Sequence, residues 1–155
     1  MAVKEPPQDT SRSVNEVEPS WREQKTLNAR HQAEELARRQ KKESEAAHKL
    51  LVDFVAQAKD RGLEPVQLWA RSYNGSSRYK TKVRGWYLKR NESVAVDTEA
   101  NFYVLSVQGS LAARFVGAPI TPSDPPLVLG LGGRDGESLD LTEAIDRILN
   151  PSKYP

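Results

Sequence analysis

Three observations predict an α+β fold: an N-terminal charged helix, a four- to five-stranded antiparallel β-meander, and a C-terminal helix packed on the sheet. No proline or glycine interrupts residues 20–61, β-branched and aromatic runs separated by turn residues follow from 66 to 107, and an amphipathic segment spans 141–149. Only 37% of the 155 residues are hydrophobic, too few to supply an efficient core over the whole length, so part of the chain is expected outside it. The expected division is a disordered tail at 1–19, a charged helical extension at 20–45, a globular α+β domain at 46–150 and a short tail at 151–155.

Residues 1–19 are rich in Pro, Glu, Ser and Asp, a composition that buries too little apolar surface to order itself. At Ser20-Trp21-Arg22-Glu23 the spacing matches a capping box, in which the serine oxygen accepts from the Glu23 N–H and the glutamate reaches back. Between Trp21 and Lys49 only Leu27 and Leu36 are large aliphatics, so no heptad seam is sustained. From Leu50 onward, Leu50, Leu51, Phe54, Val55 and Ala58 recur on one helical face, which predicts packing on the domain. Gly62, Leu63 and Pro65 read as a stop, with glycine in the left-handed position and proline preventing continuation.

The first predicted strand alternates Val66, Leu68 and Ala70 with Gln67, Trp69, Arg71 and Tyr73, and Asn74-Gly75 marks a hairpin turn. The second, 78–84, has the clearest alternation in the chain: Arg78, Lys80, Lys82 and Arg84 on one face, Tyr79, Thr81 and Val83 on the other. Gly85 is expected to bend or bulge the chain before a third strand at Trp86, Tyr87 and Leu88. Strands at 94–97 and 102–107 complete the meander, with Tyr79, Trp86 and Phe102 as core aromatics. Pro119, Pro122, Pro125 and Pro126 predict an irregular connector, residues 127–131 a short edge strand, and Asp140-Leu141-Thr142-Glu143 a second capping box opening the last helix.

Charge is distributed unevenly. Residues 1–69 carry 12 cations and 12 anions, residues 70–91 carry 7 and 0, and residues 92–155 carry 4 and 9. Alternate residues on a strand lie about 6.6–6.8 Å apart on one face, so Arg78, Lys80, Lys82 and Arg84 form a linear row suited to successive phosphates. Trp69, Arg71 and Tyr73 on the paired strand add another cation and two surfaces able to stack on unpaired bases. These seven residues are the candidate site, and its expected partner is RNA, single-stranded DNA or another polyanion. The competing explanation is a solvated strand face whose lysines deter edge-to-edge pairing.

Other chemistry is scarce. The chain has no cysteine, and its two histidines, His31 and His48, are too far apart on one helix to share a metal. Asp97 with Glu99, and Asp135 with Glu137, flank turns. The glycine-rich stretch 130–136 lacks the Lys-Ser/Thr ending of a phosphate loop and is read as a turn. No serine has an identifiable base beside it, so neither a cofactor nor a catalytic activity is expected. No apolar run reaches the about 18 residues needed to cross a bilayer, and the opening residues lack the apolar segment of a secretory leader, so the expectation is a cytoplasmic protein with no membrane partner. The alternative function is a protein-interaction adaptor that docks a partner through residues 20–50, with no nucleic-acid role.

Overall fold

A computed structural model of the chain describes residues 20–110, 116–130 and 137–154. The expectations for 1–19, for most of the glycine-rich stretch and for Asp135 lie outside the described residues. The chain divides after Gln40 into two compact units. In the first, residues 20–40 are exposed throughout, and all but Ser20 are helical. This helix, α1, runs as Trp21–Asp60. The capping box forms in both directions: Glu23 N donates to Ser20 Oγ at 3.2 Å and Ser20 N to Glu23 Oε2 at 3.3 Å.

The second unit holds the rest of α1 and all the strands: β1 (Val66–Ser72), β2 (Arg78–Tyr87), β3 (Val94–Asp97), β4 (Phe102–Val104), β5 (Ser106–Val107), β6 (Val128–Leu129) and β7 (Leu139–Asp140). It ends with helix α2 (Leu141–Leu149) and a 3-10 turn at Pro151–Lys153. The predicted stop of α1 is a Schellman motif: Gly62 has φ 71°, its N–H donates to Lys59 O, and Leu63 N donates to Ala58 O.

The α+β class holds, but the sheet is mixed and not a purely antiparallel meander. Its order is β4-β3-β2-β1-β5, and β5 runs parallel to β1. The two edge strands are successive parts of one segment, 102–107, joined at Leu105. Leu105 donates to Ser93 O on one side and accepts from Arg71 N on the other, so the sheet curls round and the same segment closes both edges. A sequence without these non-local pairings cannot show this, because the alternation of 102–107 is the same for either partner.

Closure creates an inside and an outside. Leu68, Ala70, Tyr79, Ala95, Tyr103 and Leu105 fill the inside, with Ala118 of the proline-rich connector packed among them. Outside, Leu51, Phe54, Val55 and Ala58 of α1 and Leu141 and Ala144 of α2 pack with Trp86, Leu88, Val94, Val96 and Phe102. Phe54 meets Trp86 edge-on, with ring centroids 5.7 Å apart, and burying side chains of this size contributes about 1.5–3 kcal/mol each.

Three local expectations change. β2 continues through Gly85, which neither breaks nor bulges it; a Cβ there would lie 2.0 Å from Val96 O, so glycine permits the close approach of β3. The irregularity lies instead between Gln67 and Trp69 of β1, opposite Lys80 to Arg84. There the Gln67 side-chain amide donates to the carbonyls of Thr81 and Val83, groups the irregularity turns away from β1. At the start of α2, Asp140 occupies the N-cap position with an extended backbone but makes no side-chain cap bond, so the predicted second capping box does not form.

Candidate nucleic-acid interface

Local alternation puts the predicted cations where expected. Arg78, Lys80, Lys82 and Arg84 are all exposed on β2, while Tyr79 and Thr81 are buried and Val83 is partly so. On β1, Trp69 and Arg71 are exposed and Leu68, Ala70 and Ser72 buried; Tyr73, just beyond the strand, is 65% exposed. The irregularity displaces the register by two residues, an even number, so neither strand flips its faces across it.

Six of the seven candidate residues lie on the outer face in two columns, whereas Tyr73, in the turn beyond β1, lines a groove with Ser72, Tyr79 and Gly109. Arg71 faces Arg78, Trp69 faces Lys80, and Gln67 faces Arg84. These cations share their face with Trp86, further along β2, which α1 and α2 cover. Among the described residues, neither helix packs on this basic surface, whereas both join the cluster at Trp86.

The cations differ in how they are held. Arg78 donates to Glu92 Oε2 at 3.3 Å and lies over the Trp69 ring, 5.4 Å from its centroid. Arg71 approaches the same Glu92 oxygen at 4.0 Å. Arg84 donates to Pro65 O at 2.9 Å, a bond that fixes its direction and leaves its charge unneutralised. Among the described residues, the Lys80 and Lys82 ammonium groups have neither an ionic nor a hydrogen-bond partner. The Asn74-Gly75 turn is wider than a two-residue hairpin: Ser72 N donates to Ser77 O, Gly75 alone takes a positive φ, and Asn74 Oδ1 accepts from Ser72 Oγ and from Ser76 N and Oγ.

Glu92 was not among the sequence candidates. It is the first acid after the seven cations, a local signal, but its placement between Arg71 and Arg78 depends on closure of the sheet, since Leu105 bridges Ser93, the neighbour of Glu92, to Arg71.

Two other carboxylates, Asp97 and Asp146, are held by hydrogen bonds within the fold. Asp97 Oδ1 accepts from the backbone N–H groups of Glu99 and Asn101, and Oδ2 from Asn101 Nδ2 and the Tyr103 hydroxyl. Burial, reinforced by the hydrogen bond to Asp97, pushes the Tyr103 phenol up to about 12. At the C-terminal end, Asp146 accepts from Tyr154 at 2.6 Å and from Asn150 at 2.7 Å, and these bonds hold its carboxyl below the usual range. His31 and His48 are exposed on α1. Among the described residues there is no cluster of metal-ligating side chains and no helix long and apolar enough to cross a membrane. Comparison of the chain with protein-family models, with curated proteins and with solved structures finds no match in any of the three.

Proposed function

We propose that this protein is a non-enzymatic cytoplasmic binding module that contacts RNA or single-stranded DNA, with little sequence preference, through the outer face of β1 and β2. The observation that carries this reading is the row Arg78, Lys80, Lys82 and Arg84, exposed at alternate positions, with two ammonium groups unengaged among the described residues. Phosphates along a strand meet such cations successively, and the release of condensed counterions drives binding. Tyr73, and Trp69 at 37% exposure, offer aromatic surface beside the row, and base stacking on aromatic side chains tolerates any sequence.

A second reading has its own observation. Trp21, Leu27 and Leu36 are 74%, 53% and 56% exposed on α1, as a helix that docks a partner protein would present them. One experiment separates the two: single-stranded oligonucleotide binding as a function of salt, for the wild type and for a variant with residues 78, 80, 82 and 84 reversed in charge. Four lost phosphate contacts, at about 0.7 each for a single strand, lower the slope of log K against log salt by about three. A wild-type protein that binds no oligonucleotide at low salt leaves only the adaptor reading.

A further inference from the structure

The β1–β2 register sets Arg71 directly opposite Arg78. Facing residues have Cβ atoms about 4.5–5.5 Å apart, and like charges so placed repel unless an anion lies between them. Glu92 is that anion, one carboxylate oxygen lying 3.3 Å from Arg78 and 4.0 Å from Arg71. A braced turn presents it: Glu92 holds φ 58°, its N–H donates to Lys89 O, and Asn91 Oδ1 accepts from Ser93 N and Ser93 Oγ. The arginine side chains are 49% and 52% exposed and that of Glu92 is 34% exposed, so an incoming anion can reach the pair.

To two guanidinium groups, a carboxylate and a phosphodiester present the same thing, a pair of oxygens sharing a negative charge. We propose that Arg71 and Arg78 form the seat for one phosphodiester group, that Glu92 fills this seat in the free protein, and that the nucleic acid displaces it. The proposal rests on the nucleic-acid reading and names one phosphate position within it. From that seat the strand continues to Lys80 and Lys82, in steps of about 6.6–6.8 Å. The expelled carboxylate has a cation nearby, since Glu92 and the exposed Arg90 line one groove of about 330 Å³.

The test is a double-mutant cycle read by the Kd of a labelled oligothymidylate of about 12 nucleotides, within the usual site size of single-strand binders. Glu92→Gln keeps the shape of the turn and removes the competing charge. It should tighten binding about three- to fivefold at low salt, the size expected for an exposed ion pair, and steepen the salt slope by about 0.7. In an Arg71→Gln/Arg78→Gln background the same change should have no effect. The seat is overturned if Glu92→Gln leaves the wild-type Kd unchanged, or if the gain persists without the two arginines, which would make it a long-range charge effect. If Lys80→Glu/Lys82→Glu abolishes binding while Glu92→Gln does nothing, the nucleic-acid reading stands and the seat falls. If neither the wild type nor Glu92→Gln binds, both fall.

Discussion

Gly85 and Tyr103 show how much of this fold depends on single atoms. At Gly85 the missing Cβ is what lets β3 approach, since that atom would lie 2.0 Å from Val96 O and 2.8 Å from Asp97 Cα. Both neighbours are backbone and cannot rotate away, so Gly85→Ala must part β2 from β3. The expected loss is about 3 kcal/mol, measured as the shift of the urea midpoint; a loss below about 0.5 kcal/mol would show that the strands part freely. Tyr103 carries a pH-dependent contribution. Its folded value of about 12 stands above the ordinary 10.0, so the protonated hydroxyl favours the folded state. The contribution is complete below pH 10 and is lost as pH rises towards 12. Tyr103→Phe should cost about 1 kcal/mol at neutral pH through loss of the bond to Asp97, and its deficit against the wild type should shrink between pH 10 and 12. Urea titrations across that interval decide it, and a constant deficit would contradict the assignment.

At the scale of elements, α1 has two regimes. Up to residue 42 every described side chain is exposed, whereas Ala47, Leu51, Phe54, Val55 and Ala58 are buried. The capping box, the Schellman stop and the period of 3.6 that marks the buried face are local, so all three are legible in the chain. A fragment comprising residues 41–155 should fold with a urea midpoint equal to that of the full chain within the error of the measurement, because the removed helix buries none of its described side chains. A drop equivalent to more than about 1 kcal/mol would show that it stabilises the domain. β2 was legible in its parity and not in its extent: Arg78 and Trp86 belong to one strand face, solvated at one end and covered by helices at the other. Polar and apolar residues on that face look like two strands until the position of α1 is known.

At the scale of the whole molecule, the partition into neutral, basic and acidic stretches does not show which charges meet. One acid, Glu92, contacts two of the cations, and Lys80 and Lys82 remain unengaged among the described residues. The alternation of β1 and β2, the stops of α1 and the exposure of the six site residues on β1 and β2 followed from the amino-acid order, because each depends on neighbours within a few positions. Closure of the sheet through a parallel β1–β5 pair, the covering of Trp86, and the seating of Glu92 between Arg71 and Arg78 were decided only by the tertiary structure. Those features join segments from 14 residues apart, as for Arg78 and Glu92, to more than 50 apart, as for Trp86 and α2, and loop closure together with burial, and not local periodicity, selects which segments meet.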